Sequence, residues 1–310
     1  VTGEFVAIGR LARHLPPQTV NGVSQGEVWI GDDAAVLRTS TRPWTVLAAD
    51  AVVDGVHADL RLTTLQDLGW KALTCNLSDV AAMGADPGHA LVTVAGPAGT
   101  DLDALYEGLG SAATIYGCPV VGGDLTNAPV LVVSVAVTGT ADGPPVLRSG
   151  GRAGDGIWVT GPLGASAAGL RLLRSGSGRT PVAPEDVALV DAHARPVPRL
   201  AEGRAARAAG ATAMIDVSDG LGADLGHLAD ASGIGFELDE VPVAAGATRA
   251  EALAGGEDYE LVFTAADPAR VVDAFASLRR PTQIGRCVGD PQRRVIGTEQ
   301  LLAWGWQHRW

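Results

Sequence analysis

TTLQDLGWKALTCNLSDVAAMG, residues 63–84, is the clearest helical pattern in the chain. Trp70, Leu73, Leu77 and Val80 fall at the spacing that lines one face of a helix with apolar side chains, and Lys71, Cys75 and Asp79, four apart, share another face. Strand-like runs bracket it, WTVLAAD (44–50) before and HALVTVAG (89–96) after, so the local unit reads β-α-β. Further out, β-like runs occupy 28–37, 130–139, 156–161, 213–216, 259–265 and 282–288, with helical patterns over 102–117, 165–175, 198–210, 218–231 and 268–279. The 41 glycines sit where these runs meet, which is the punctuation of an α/β protein. Residues 141–155, ADGPPVLRSGGRAGD, are rich in Pro and Gly and poor in core residues, and predict a boundary between domains at 1–143 and 144–310.

Composition excludes several classes. With 46% hydrophobic and 19% charged residues the chain is an ordinary globular protein, and its net charge of −12 argues against nucleic acid or an anionic membrane as the main partner. Lys71 is the only lysine and has no P-loop context, and no Gly-x-Gly-x-x-Gly opens a helix after a strand. Cys75, Cys118 and Cys287 are too scattered for a zinc ribbon or a disulfide framework. No apolar run approaches membrane-spanning length, and the opening VTGEFVAIGRLARHL has no compact apolar segment with a cleavage site; the expectation is a cytoplasmic protein.

Aspartates recur beside glycine at the ends of strand-like runs, in Gly31-Asp32-Asp33, Gly122-Gly123-Asp124 and Asp216-Val217-Ser218-Asp219-Gly220, while Asp50 ends a strand and Asp79 lies on the helix. Clustered carboxylates are hard oxygen donors suited to Mg²⁺, through which an acidic protein can bind an anionic substrate. Each motif also has a plainer reading. Asp after Gly is a common turn residue, the reading adopted for Asp32, and Ser218 and Asp219 suit the N-cap and first turn of a helix over 218–231. Gly122-Gly123 and Thr160-Gly161-Pro162-Leu163-Gly164 are candidate phosphate cradles or simple tight turns. Gly176-Ser177-Gly178-Arg179 reads as a surface loop, and Arg148 could reach a phosphate or only water. His57 has no metal-binding companions, and the tail LLAWGWQHRW, with Trp304, Trp306 and Trp310, could cap a core or stack on a heteroaromatic ring.

GEFVAIGRL (3–11), IGDDAAVL (30–37), NLSDVAAMGADP (76–87), VVGGDLT (120–126), LRSGGRAGDGIWVTGPLGASAAGL (147–170), IDVSDGLGADLGHL (215–228) and GGEDYELVFT (255–264), taken in order, resemble the thiamine-monophosphate kinase family. NLSDVAAMGADP and SGGRAGDGIWVTG are shared in outline with the wider superfamily of aminoimidazole-ribonucleotide synthetase and selenophosphate synthetase. The resemblance implies a two-domain α/β fold, with an N-terminal ATP- and metal-binding domain forming a barrel-like interface in a homodimer and a C-terminal α/β domain beside it. It implies transfer of the γ-phosphoryl group of ATP to thiamine monophosphate, assisted by several Mg²⁺ ions. By motif position the metal ligands would be Asp33, Asp50, Asp79, Asp124, Asp216 and Asp219, of which Asp33, Asp79, Asp124 and Asp216 would serve catalysis. ATP contacts would fall to Tyr106, Gly123, Asp124, Arg148 and Ser218, and thiamine-side contacts to His57, Glu257 and Trp306. One departure is Ala48-Ala49-Asp50, where the family often carries two hydroxyl residues before the aspartate. The alternatives are a selenophosphate synthetase-like enzyme, which would bring a reactive Cys and Lys near the N-terminus, and a non-catalytic nucleotide or thiamine-phosphate binding protein.

Overall fold

The computed structural model describes residues 27–28, 32–37, 44–177, 184–301 and 305–306. The GEFVAIGRL stretch, Gly178, Arg179, Trp304 and Trp310 lie outside the described residues. In the N-terminal half the order is β1 (Ala35–Leu37), β2 (Trp44–Val53), α1 (Leu65–Ala82), β3 (Asp86–Gly96), α2 (Leu102–Tyr116), β4 (Val120–Asn127) and β5 (Val132–Ala141). Its five strands form one sheet in the order β1-β2-β5-β3-β4, with only β3 and β4 parallel. Period-2 alternation turns Val46, Val52, Val92, Val94, Val133, Val135 and Val137 into the core, while Leu47 and Leu91 stay exposed.

The C-terminal half contains β6 (Gly156–Val159), α3 (Ala165–Leu172), α4 (Pro184–Ala194), α5 (Leu200–Ala209), β7 (Ala213–Asp216), α6 (Leu221–Ser232), β8 (Gly235–Leu238), α7 (Arg249–Ala254), β9 (Leu261–Ala265), α8 (Pro268–Ala274), β10 (Thr282–Val288), β11 (Arg294–Ile296) and β12 (Glu299–Gln300). Its seven-stranded sheet runs β12-β11-β8-β10-β6-β9-β7, with β8 and β11 the parallel pair. Both sheets are open, and among the described residues no pairing joins β1 to β4. A barrel is therefore not closed within one chain.

α1 starts where Thr64 and Asp67 make a reciprocal capping box. It is buried on nearly every side, Lys71 and Cys75 included, because it packs against β2, α2, α5 and β7 and so joins the two halves. Trp70 Nε1 donates to Pro196 O at 2.9 Å and Arg195 Nε meets Asp67 Oδ1 at 2.7 Å, fixing the helix to the C-terminal half. α2 comes so close that a Cβ at Gly69 would stand 2.0 Å from Leu105 O, and one at Gly108 1.8 Å from Gln66 O.

Several elements differ from the sequence reading. The expected strand 130–139 is shifted to Val132–Ala141, and Val120–Asn127 is a strand that its glycine pair concealed. The helix expected over 218–231 begins at Leu221. After α3 the helix expected over 165–175 runs into a turn at Leu173–Ser177 that is kinked at Gly176, whose φ is 102°, and α8 stops at Ala274. The helices α4 and α7 and the strands β8, β11 and β12 went unread.

Candidate active site

Four segments converge on one group of carboxylates. The turn before β1 supplies Asp32 and Asp33, β2 supplies Asp50, α1 supplies Asp79, and the end of β7 supplies Asp216. Asp33, Asp79 and Asp216 each offer an oxygen, and the three oxygens lie within 4.8 Å of one another. Ser78 Oγ donates to Asp216 Oδ2 at 2.6 Å, and Asn76 Oδ1 accepts from Asp50 N at 2.9 Å, so two residues of one turn of α1 orient two of the carboxylate segments. Arg148, from the segment between the sheets, places Nη2 2.5 Å from Asp33 Oδ1, and its backbone N–H donates to Asp32 Oδ2 at 3.0 Å. Asp32 is thus more than a turn residue. It anchors the backbone of Arg148, which itself pairs with Asp33.

The electrostatics are those of crowded anions. Burial, then the charges of Asp50, Asp216 and Asp33, push the Asp79 carboxyl well above its usual range. Burial and the neighbouring Asp33 push Asp216 up to about 7, and the same two causes push Asp32 up to about 7. Asp33 Oδ2 is buried and accepts no hydrogen bond among the described residues. An arrangement that holds an oxygen with no donor beside two further carboxylates suits a divalent cation of the hard, oxygen-loving kind.

A second group lies about two turns earlier along α1. Lys71 Nζ is 2.6 Å from Glu257 Oε1 and donates to His57 O at 3.1 Å. His193 Nδ1 stands 3.4 Å from Glu257 Oε2 and 3.1 Å from Ser166 Oγ, and burial drives its pKa down to about 4, so the ring is neutral at pH 7. His57 Nδ1 accepts from Val53 N at 3.1 Å, which places the proton of its neutral ring on Nε2. Glu257 and Tyr259 have positive φ, 65° and 51°. Their segment is stitched to the one bearing Ser218, with Glu257 N donating to Ser218 O at 2.7 Å and Tyr259 N to Val217 O at 2.9 Å. The Tyr259 hydroxyl lies 2.8 Å from Cys75 Sγ, and all three cysteines are free and buried.

The structure decides two open readings of helix starts. Ser218 and Asp219 do not cap α6. The cap position is Gly220, and buried Asp224 accepts from the backbone N–H groups of Asp219 at 3.0 Å and Gly220 at 2.9 Å. At residues 160–164 the start of α3 takes a carboxyl group from the protein itself, because Asp258 accepts from Gly164 N at 2.6 Å and Ser166 N at 3.1 Å. Asp124 is exposed on the edge strand β4, paired in register with Thr93, outside the group of three. Gly123 beside it passes so near β3 that a Cβ would stand 1.7 Å from Val92 O. Tyr106 is exposed on α2, and Trp306 is exposed with its backbone N–H donating to Asp219 O at 3.0 Å. Ala48 faces the core while Ala49 is exposed, so the first of the two missing hydroxyls would have entered an apolar layer. Lys71, Asn76, Ser78, His193, Asp224 and Asp258 were given no site role from sequence, because each acts through a partner distant in the chain or through a backbone group.

Residues 31–141 match the AIR synthase related protein N-terminal domain, and residues 152–297 match the corresponding C-terminal domain. The thiamine-monophosphate kinase of Bacillus subtilis is 36% identical to this chain, covering 92% of it and 93% of the relative. That of Mycobacterium tuberculosis is 38% identical, covering 98% and 91%. The chain belongs to the thiamine-monophosphate kinase family. A solved structure of the kind, AaThiL complexed with AMPPCP and TMP, aligns with a TM-score of 0.86 at 31% identity, covering 99% of this chain and 97% of that one. The thiamine-monophosphate kinase likeness thus extends across both sheets and both groups of residues described above.

Proposed function

We propose that the protein transfers the γ-phosphoryl group of ATP to a phosphate oxygen of thiamine monophosphate, giving thiamine diphosphate and ADP. The observation that carries this reading is the convergence of Asp33, Asp79 and Asp216 in a chain whose relatives are named for the reaction. The AaThiL complex with AMPPCP, an ATP analogue, and TMP supports both substrates.

The donor set fits Mg²⁺: three carboxylates within reach of one ion, one of them with a buried oxygen that no hydrogen bond claims among the described residues. Asp33, Asp79 and Asp216 would hold the metal at the centre, with Asp50 and Asp219 on flanking segments and Asp124 approaching from the edge of the five-stranded sheet. When bound, Mg²⁺ neutralises the charge of two phosphorylated substrates that otherwise repel. Asp32 and Asp33 fix Arg148, whose guanidinium compensates charge beside the cluster. Tyr106, Gly123 and Ser218 are assigned to ATP; His57, Glu257 and Trp306 are assigned to the thiamine side. The acceptor oxygen forms the new bond to the γ-phosphorus as the bond to the β–γ bridging oxygen of ATP breaks. Because a phosphate monoester loses its second proton near pH 6, the acceptor is already anionic at pH 7 and the site needs no strong general base. Catalysis then rests on positioning and charge neutralisation.

We assign domains to 1–143 and 144–310, a homodimer as the assembly and the cytoplasm as the compartment. Among the described residues no helix is long and apolar enough to cross a membrane. Quantifying ADP with thiamine monophosphate or unphosphorylated thiamine as acceptor tests the reaction. Metal-dependent turnover with the monophosphate alone is expected; ATP binding without turnover would return the protein to the class of binding proteins, and another acceptor would return it to a related synthetase.

A further inference from the structure

We infer that Lys71 is a positioning residue that locks Glu257 and the His57 turn into one arrangement facing thiamine monophosphate. This rests on the proposed reading, in which Glu257 and His57 belong to the thiamine side. Lys71 is the only lysine of the 310 residues, and it is 3% exposed, so it does not present its charge to a ligand. A buried ammonium is costly unless its donors are used, and here they reach two separate segments: the carboxylate of Glu257 at 2.6 Å and the carbonyl of His57 at 3.1 Å. One segment follows β2 in the N-terminal half and the other precedes β9 in the C-terminal half. Lys71 is therefore a pin across the two halves.

The backbones of both segments have bonds of their own, and what the pin adds is the placement of the Glu257 carboxylate. Glu257 has φ 65°, a left-handed conformation that a residue with a Cβ adopts only where its surroundings over-determine it. Its backbone N–H is fixed by Ser218 O, one carboxylate oxygen by Lys71, and the other faces neutral His193 at 3.4 Å. The Glu257 side chain is 25% exposed, so part of it remains available to a ligand while the buried part is clamped. On the other segment, His57 Nδ1 closes the turn onto Val53 N, and Gly55 N donates to Ala58 O at 2.6 Å, leaving the His57 carbonyl aimed at Lys71. Methionine could replace the aliphatic bulk of Lys71 but neither of its two polar contacts.

The test compares wild type, Lys71→Met, Glu257→Gln and the double variant by kcat and by KM for each substrate. Lys71→Met is expected to raise KM for thiamine monophosphate about tenfold or more, with kcat and KM for ATP within about threefold, and to add less than about twofold on top of Glu257→Gln. Equal changes in both KM values, or full additivity in the double variant, would overturn the inference, since a general structural role predicts them. The unmutated protein gives an independent readout if Lys71→Met does not fold. Labelling with ¹⁵N-lysine yields one Nζ resonance, expected to shift on adding thiamine monophosphate and not on adding ATP. A resonance indifferent to thiamine monophosphate, in protein that turns it over, would overturn the positioning role alone. Absence of turnover in the wild type would instead remove the reading on which it rests.

Discussion

Asp33, Asp79 and Asp216 repel one another in the absence of a cation, and that repulsion weighs against folding while it prepares the site for a metal. Asp79→Asn is expected to lower kcat/KM by about a hundredfold or more while leaving the metal-free thermal midpoint unchanged or higher. A thermal scan beside a rate assay separates these effects; a lower midpoint with near-normal turnover would contradict the assignment. His193 supplies a pH effect of known sign. The unfolded chain takes up its proton near pH 6.5 and the folded protein only near pH 4, so the stability His193 contributes is whole above pH 6.5 and is lost as the pH falls toward 4. Against His193→Gln, the wild type is expected to lose up to about 3 kcal/mol across that window in denaturant titrations. The carboxylates of the group were legible because aspartates recur at strand ends and because the family resemblance carries Asp33, Asp79 and Asp216 by motif position. Lys71 and His193 were not, because their meaning comes from Glu257, which lies far along the chain from either.

At the scale of elements, α1 was read to within two residues at each end, 63–84 against Leu65–Ala82. Sequence placed Lys71, Cys75 and Asp79 on a second face but gave Asn76 and Ser78 no role, whereas the fold buries these side chains and sets Asn76 on Asp50, Ser78 on Asp216 and Lys71 on Glu257. β4 was missed because Gly122 and Gly123 depress strand propensity, and its pairing with β3 supplies what the local sequence lacks. The start of α6 was placed too early because Ser218 and Asp219 look like caps, while the working carboxylate, Asp224, sits inside the first turn. Asp258 performs a similar service for α3, so Asp258→Ala should strip partners from Gly164 and Ser166 and cost about 1–3 kcal/mol in equilibrium unfolding. Gly108→Ala should destabilise by a comparable amount, about 1–3 kcal/mol, because α2 must withdraw from Gln66 O. If either variant unfolds at the wild-type midpoint, that contact has been overvalued.

For the whole molecule, two open sheets joined by α1 place the carboxylate group and the Lys71–Glu257 group about two turns apart along one helix. The fold class was readable from alternating strand-like and helical runs; the mixed and largely antiparallel sheet order was not, because register depends on pairings between distant segments. The outer face of the five-stranded sheet exposes Leu47 and Leu91, with Ala49, Ala136 and Leu91 adjacent across three strands. Such a face suits the proposed homodimer. Leu91→Glu is expected to give a monomer in analytical ultracentrifugation; an unchanged mass would place the interface elsewhere. The central claim is that the Asp33–Asp79–Asp216 group gathers metal to join two phosphorylated substrates. Its most direct test follows thiamine diphosphate formation from thiamine monophosphate and ATP as Mg²⁺ is varied, in the wild type and in Asp216→Asn. No product is expected without Mg²⁺, with saturable product in the wild type and a much higher Mg²⁺ requirement or no product in the variant. Equal Mg²⁺ curves for the two proteins would contradict it.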